Sequence, residues 1–318
     1  MGLLSSLFGN KEPQKEQQSR QEKKNFDILK YDGIRARNMH QLPYAIKCFE
    51  QALALNEDTE TMQLLAAAYA ASDRIEDARI TLDKLTEKDP ENINAFLTLA
   101  NLCYMQEDYE SMDNACQKAL QLDDKSAEAY YLAGKADHAM HNDIQAIVML
   151  TKAIQNKENY TSAYLLRAEV LWNMRQAKDA MEDIEAILAQ NTAPEEEDAL
   201  ILKGKILAAT GQIEEAYACF DRIMEINPFN EKAYLLKGEM LIEQKKFGQA
   251  TELYTEALEL MPQNPHLYQE RGRARLLGGD KDGSIEDMKK AIELNPDSEK
   301  QINGNYDNFN RPEPSNIY

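Results

Sequence analysis

Small and apolar side chains recur along most of this chain at the spacing of one face of an α-helix. Eight segments share the pattern, from YAIKCFEQALAL near the start to GSIEDMKKAIELNP near the end. In each, a small residue or methionine is followed by an apolar residue four positions later and an aliphatic one after three more. Because positions i, i+4 and i+7 lie on one side of a helix, each segment predicts an α-helix with one buried face. The pattern begins at Ala45, Ala78, Met112, Ala146, Ala180, Ala216, Ala250 and Ser284.

Another helix is predicted ahead of each of these segments, and we call it the first helix of the pair and the segment itself the second helix. The signature of the first helix is an aromatic residue followed four positions later by a glycine. A glycine inside a helix costs roughly 1 kcal/mol relative to alanine, so its recurrence predicts that another backbone passes too close for a Cβ. The clearest pairs are Tyr130 and Gly134, Tyr234 and Gly238, and Tyr268 and Gly272.

The helix pairs repeat with a period close to 34 residues, the successive steps being 33, 34, 34, 34, 36, 34 and 34. This unit, with its aromatic, glycine and alanine positions, resembles the tetratricopeptide repeat family over about residues 26–298. The resemblance implies an all-α fold, a right-handed α-solenoid of about eight helix-turn-helix repeats.

The repeat frame also predicts the organisation of the rest of the chain. Residues 1–25 would be a flexible N-terminal arm with a short amphipathic segment. Residues 299–318 would form a short capping helix and a disordered tail. The 36-residue step places an insertion at residues 191–198, where a soft joint would divide five repeats from three.

Charge and hydropathy argue against several classes of protein. Asp and Glu number 55 against 36 Lys and Arg, which gives a net charge of −19 and argues against a nucleic-acid surface. The longest apolar run, LLAAAYAA, is far shorter than the roughly eighteen residues of a membrane span. The start of the chain lacks the features of a secretory leader, and no cysteine lies in a CxxC motif. The sequence therefore predicts a cytoplasmic protein.

Candidate catalytic and metal-binding residues are few. His138 and His141 lie three residues apart, but His141 falls in the predicted turn MHND, and no cysteine or carboxylate cluster completes a metal site. Cys103 and Cys116 fall on the inward stripes of one predicted helix pair, where core packing is the simplest interpretation. No catalytic residue, metal or cofactor is predicted.

The resemblance implies a surface for a partner, because first helices line the concave wall of tetratricopeptide arrays. On each first helix, the residues one position after those that pack in the core form another stripe. This stripe would face the groove and bind a peptide or helix. Its two tyrosines and Trp172 are the expected anchors, whereas its three leucines contact either a partner or the neighbouring repeat. The predicted groove comprises Leu97, Asn101, Tyr104, Tyr131, Lys135, His138, Leu165, Glu169, Trp172, Ile201, Lys205, Leu235, Glu239, Ile242 and Arg273.

One subset of the family clamps the acidic tails of cytosolic chaperones with lysines, arginines and asparagines on three consecutive first helices. Lys30 could supply the first lysine, but Ile34 follows where asparagine is needed. Leu64, Asn94 and Thr98 replace the remaining polar or basic residues. We therefore predict no chaperone carboxylate clamp.

The segment MGLLSSLFGN precedes the repeats and admits three interpretations. Gly2 and Ser6 fit the myristoylation pattern M-G-x-x-x-[ST], which would favour a membrane surface. An arm without a specific role and a small protein-docking element are the other two hypotheses. The apolar cluster on which docking would depend is Leu3, Leu4, Leu7 and Phe8.

The leading functional hypothesis is a non-enzymatic scaffold or adaptor that binds a partner peptide or helix in the concave groove. The alternative is a membrane-associated adaptor recruited through the N-terminal segment. An enzyme is the least favoured hypothesis, because the sequence contains no recognisable catalytic constellation.

Overall fold

The computed structural model describes residues 14–190 and 196–296, and their regular secondary structure is entirely α-helical. Sixteen helices occur in these residues, two for each of the eight predicted repeats. The predicted all-α, paired-helix fold is confirmed. In the described ranges, no helix combines the length and the apolar character needed to cross a membrane.

The chain divides between Arg175 and Gln176 into two compact units, here called unit 1 and unit 2. Unit 1 contains nine helices in its described residues. The first helix of each pair has an odd number. They are α1 (Gln14–Asn38), α2 (Leu42–Leu55), α3 (Thr59–Ala71), α4 (Ile75–Lys88), α5 (Ile93–Met105), α6 (Tyr109–Leu122), α7 (Ala127–Ala139), α8 (Asp143–Asn156) and α9 (Thr161–Asn173).

Unit 2 contains seven helices in its described part. They are α10 (Ala177–Leu188), α11 (Glu196–Ala209), α12 (Ile213–Ile226), α13 (Glu231–Glu243), α14 (Phe247–Leu260), α15 (Pro265–Leu277) and α16 (Lys281–Leu294).

Side-chain caps explain where five of the first helices begin. Before α3, for example, a carboxylate oxygen of Asp58 accepts the backbone N–H of Thr61 at 2.9 Å. Such a cap satisfies a backbone donor that the helix itself cannot, which stabilises the helix by about 1 kcal/mol. The five capping residues are Asp58, Asn92, Ser126, Asn230 and Asn264.

The turn after each first helix contains a residue with positive φ. This left-handed conformation favours glycine, yet only two of the eight turn residues in the described chain are glycines. The prediction that His141 falls in a turn is confirmed, since its φ is 63°. The eight residues are His40, Asp73, Glu107, His141, Arg175, Gly211, Lys245 and Gly279.

The second helices bury the predicted stripe. All eight residues at its last position, from Ala52 to Ala291, are fully buried. The glycines of the first helices accept the bulky residue in the middle of this stripe. A Cβ built on Gly134 would lie 2.7 Å from Leu150 Cγ, and one built on Gly204 would lie 2.7 Å from the Phe220 ring. These closest atoms belong to side chains. The expected close backbone is present as well, since Cβ atoms built on Gly134 and Gly272 would lie 3.2 and 3.3 Å from the backbone oxygens of Ala146 and Ser284.

Two predicted boundaries differ from the structure. Residues 14–25 belong to α1, whereas the sequence predicted a flexible arm there. Their glutamines, glutamates and lysines are good helix formers, and the Gln18 side chain donates to Glu22 at 3.2 Å within the same helix. Glu196, Glu197 and Asp198 form the first turn of α11, where the positive helix end stabilises carboxylates.

The remaining predictions about segments fall on undescribed residues. The cluster of Leu3, Leu4, Leu7 and Phe8 and the predicted cap and tail at residues 299–318 lie outside the described ranges. The two units divide ahead of the predicted joint at residues 191–198, and that joint stays a prediction.

Candidate functional site

The predicted groove residues of unit 1 lie on α5, α7 and α9, and we call them the unit 1 face. Most of them are accessible, as a binding surface requires. Leu97 is only 7% exposed and belongs to the hydrophobic core, so it is unsuited to partner contact. The exposed members are Asn101, Tyr104 and Glu169, and the half-buried ones are Tyr131, Lys135, His138, Leu165 and Trp172.

Lys135 and Tyr104 connect neighbouring first helices across the unit 1 face. The Lys135 Nζ lies 3.5 Å from the centroid of the Tyr104 ring. Burial lowers the pKa of the Lys135 ammonium, and no carboxylate in the described residues is within ion-pair distance of it. A ring face stabilises a cation by about 0.5–2 kcal/mol but leaves its N–H donors unused. Lys135 therefore offers hydrogen-bond donors to an incoming acceptor.

Two tyrosines that the sequence analysis did not single out extend this aromatic surface. The Tyr109 ring lies 6.0 Å from that of Tyr104, and the Tyr160 ring lies 5.3 Å from that of Tyr131. Tyr109 begins α6 and Tyr160 precedes α9, so neither belongs to a stripe along a first helix. An aromatic residue beside a helix start was the signal available in the sequence.

His138 Nδ1 lies 2.7 Å from an Asp143 carboxylate oxygen at the start of α8, so a local contact orients this ring. Throughout the described ranges, no group of three or more His, Cys, Asp or Glu residues is arranged to hold a metal ion.

The cysteines are buried and have the properties of core residues. Cys103 and Cys116 are fully buried in the same hydrophobic cluster, in agreement with the core-packing interpretation. Burial raises the pKa of the Cys116 thiol to about 12. A thiol with so high a pKa is a poor nucleophile, because the thiolate is the reactive form.

The predicted groove residues of unit 2 lie on α11, α13 and α15, and we call them the unit 2 face. Lys205 and Glu239 are exposed, and Leu235 and Arg273 are half-buried. Ile201 and Ile242 are about 5% and 6% exposed and belong to the main hydrophobic cluster of this unit. The sequence assigned these two isoleucines to the groove, but their large apolar side chains pack within the unit.

Two hollows lie along the unit 2 face. The first, of about 390 Å³, is bounded by α11, α12 and α13, and we call it hollow A. The second, of about 290 Å³, lies between α13 and α15, and we call it hollow B. Glu239 lines both hollows, which therefore lie next to each other along α13. In hollow B, the Arg273 guanidinium is already paired with Glu270 at 2.9 Å.

Lys30, the lysine considered for a chaperone clamp, is engaged within unit 1. Its Nζ lies 2.9 Å from an Asp58 carboxylate oxygen and 2.6 Å from one of Glu60. A chaperone carboxylate would have to displace both acids to reach this lysine.

Comparison with known proteins agrees with the helix pairing. Residues 165–231 match one sequence profile of the tetratricopeptide repeat, and residues 231–264 and 265–298 match a second. No curated protein sequence matches the chain.

Several solved structures share the fold. The pilF protein of Pseudomonas aeruginosa aligns with a TM-score of 0.55 and 16% identity, over 69% of this chain and 99% of that one. Yeast Tom70 gives 0.58 and 20%, over 80% of this chain and 55% of that one. A tetratricopeptide repeat protein from Parabacteroides merdae gives 0.51 and 16%, over 86% and 94%. At these identities the likeness concerns the fold alone. Residues 165–298 are therefore tetratricopeptide repeats, and the paired helices of the other described residues follow the same arrangement.

Proposed function

We propose that this protein is a non-enzymatic scaffold that binds a segment of a partner protein on the unit 1 face. Tetratricopeptide repeat proteins generally act through protein interactions, although the fold by itself does not specify a ligand. The high pKa of Cys116 and the local pairing of His138 support a binding role over a catalytic one. On the sequence grounds given above, we expect the scaffold to work in the cytoplasm.

The observation that carries the proposal is the arrangement of Lys135 and Tyr104. A half-buried ammonium is costly to keep without an acceptor, and here a tyrosine ring is its closest partner. A partner segment laid over α5 and α7 would supply carbonyl or carboxylate acceptors to Lys135. Its apolar side chains would pack on the rings of Tyr104 and Tyr131, the kind of residue that dominates binding energy.

The test is a double variant, Tyr104→Ala with Tyr131→Ala, in quantitative affinity purification from the source cells. We expect the proteins captured by the wild-type chain to be lost by the variant. Trp172 is the sole tryptophan and lies on the same face, so its fluorescence should change when a captured partner is added back.

The matched control is Tyr44→Ala, which removes an exposed ring from α2, a second helix of the same unit. This control should capture the same proteins as the wild type. If the double variant is folded by circular dichroism and still captures them undiminished, the proposed binding face is wrong.

A further inference from the structure

We infer that unit 2 carries a second recognition site, specific for a partner segment in which a large apolar side chain is flanked by lysine or arginine. The inference rests on the proposed scaffold function but concerns the unit 2 face, whose chemistry differs from that of unit 1. Its basis is hollow A together with two carboxylates that stand at its rim.

Hollow A has an apolar interior of the size that suits a ligand side chain. Its volume of about 390 Å³ falls within the range of roughly 300–1,000 Å³ typical of ligand pockets. Phe220, the residue that packs on Gly204, lines it and is only 1% exposed. The other apolar residues around it are Ala208, Ala209, Ile213, Leu236 and Met240.

The rim of hollow A selects for a positive neighbour. Glu239 and Glu243 lie four residues apart on α13, so both carboxylates stand on one side of this helix. Both are exposed, and neither forms an ion pair or hydrogen bond with another described residue. Like charges at this spacing repel each other, and a bound cation would relieve that repulsion. An acidic segment would instead add a third negative charge.

Lys205 sets the orientation of the segment. It lines hollow A from α11, the opposite wall, and is likewise free of ion pairs among the described residues. Repulsion from Lys205 keeps the basic residue of the segment on the α13 side. The apolar side chain then enters between the two walls.

Hollow B gives the segment a direction in which to continue. It shares Glu239 with hollow A and offers the amide of Gln269 beyond it. Arg273 is neutralised by Glu270, and the His266 ring contacts Glu231 at 3.0 Å, so these groups add no unpaired positive charge. A segment running from hollow A towards α15 therefore stays next to the Glu239 carboxylate.

The test uses fluorescein-labelled peptides with one central leucine or phenylalanine, flanked by lysines, glutamines or glutamates. Fluorescence anisotropy with the full chain gives the dissociation constants. We expect the lysine-flanked peptides to bind at least about tenfold more tightly than the glutamate-flanked ones. Added salt should weaken their binding, because it screens partly exposed charges.

Two variants locate the binding. The double change Glu239→Gln and Glu243→Gln should weaken the lysine-flanked peptides about tenfold, the combined effect of two partly exposed charge pairs. The control, Glu252→Gln with Glu256→Gln, removes two exposed acids at the same spacing from α14 and should leave binding unchanged. Ala208→Leu, which fills hollow A, should weaken the leucine and phenylalanine peptides but not a control peptide with central glycine.

Three results would overturn the inference: no peptide binds, all three flanking sets bind equally, or the Glu239 and Glu243 variant binds as the wild type does. The proposed function fails on a different result, which is that partner capture is unchanged when Tyr104 and Tyr131 are replaced. Peptide binding to a chain with those two tyrosines removed should be unaffected, so the two failures are distinguishable.

Discussion

The unit 1 and unit 2 faces use the same repeat position for different chemistry. In six consecutive first helices, the residue after a buried alanine or glycine turns towards the face, and its type is free to vary. In unit 1 these residues are Asn101, Lys135 and Glu169, and in unit 2 they are Lys205, Glu239 and Arg273. The repeat therefore fixes where the side chain stands, whereas the chosen residue sets what it can bind.

The surroundings of this position sharpen the contrast. In unit 1, Lys135 lies on the ring of Tyr104, and two tyrosine pairs, Tyr104 with Tyr109 and Tyr131 with Tyr160, add ring surface. In unit 2, Glu239 stands between two hollows, one of them apolar. A ring surface suits a segment lying flat across it, but a hollow needs a side chain that enters it. One scaffold thus offers two modes of recognition.

The largest effect is expected where unit 2 is held together at its last helix pair. Asp287 is only 3% exposed and accepts from Arg271 at 2.6 and 2.9 Å and from Arg275 at 2.8 Å. Asp287→Ala would leave the largely buried guanidinium of Arg271 without its counter-charge, whereas Arg275 keeps a second carboxylate, Asp280, at 3.8 Å. Breaking a buried ion pair in this way typically costs about 3–5 kcal/mol.

Urea unfolding followed by hydrogen exchange should place this loss of unfolding free energy in unit 2. Asp282→Ala, which removes an exposed carboxylate from the same helix, is the control and should cost far less. If unit 1 loses protection equally, the two units are not separately stabilised.

The next largest effect tests whether both units use glycine in the same way. Gly134→Ala should crowd Leu150 in unit 1, and Gly204→Ala should crowd Phe220 in unit 2. Overpacking of this kind typically costs about 1–3 kcal/mol of unfolding free energy.

A third alanine replacement provides the matched control in thermal and urea unfolding. Gly248→Ala in α14 meets no atom within 4 Å, so it should be neutral or slightly stabilising. Equal losses for all three variants would contradict the close-approach explanation, because helix propensity alone predicts that each alanine stabilises its helix.

Charge reversal should convert the preference of one face without affecting the other. With Glu239→Lys, we expect lysine-flanked peptides to bind about tenfold more weakly and glutamate-flanked ones to gain, because the charge at the rim changes sign. Anisotropy titrations with both peptide sets measure this exchange of preference. Lys135→Glu in unit 1 should leave the lysine-flanked set unchanged, and a loss of that set comparable to the effect of Glu239→Lys would show that the peptides do not discriminate between the faces.

The smallest effect concerns the turns, where the units are expected to behave alike. Glu107 in unit 1 and Lys245 in unit 2 have φ values of 58° and 61°. Replacing either by glycine should raise the unfolding free energy by up to about 1 kcal/mol, since glycine adopts this conformation without strain. Thermal unfolding of the two variants should give similar shifts. Opposite shifts would indicate that the two turns have different roles.

The sequence predicted the helices well because the repeat imposes its pattern many times. The buried stripe that includes Leu82 and Leu150 recurs in every repeat, so a chance apolar pattern in one segment does not change the predicted fold. Ile201 and Ile242 were assigned wrongly because a one-residue shift around a helix still leaves large apolar residues within reach of neighbouring helices. Sequence spacing along one helix does not show how deeply its neighbours enclose a residue.

The hollows and the ring pairs could not be predicted for a related reason. Hollow A brings together residues from three helices, and Phe220 reaches it only because Gly204 makes room. Tyr160 lies outside the first-helix stripes and meets Tyr131 through tertiary packing. Period and polarity describe each helix separately, whereas these features arise between helices.

The length of α1 has a consequence for anything attached ahead of it. This helix has 25 residues, against 13 in α3, and its extra turns lie at the N-terminal end. At about 1.5 Å per residue, Gln14 stands roughly 18 Å along the helix axis from the buried Phe26. The start of α1 therefore extends beyond its packing with α2, and the preceding segment joins the chain at the far end of this extension.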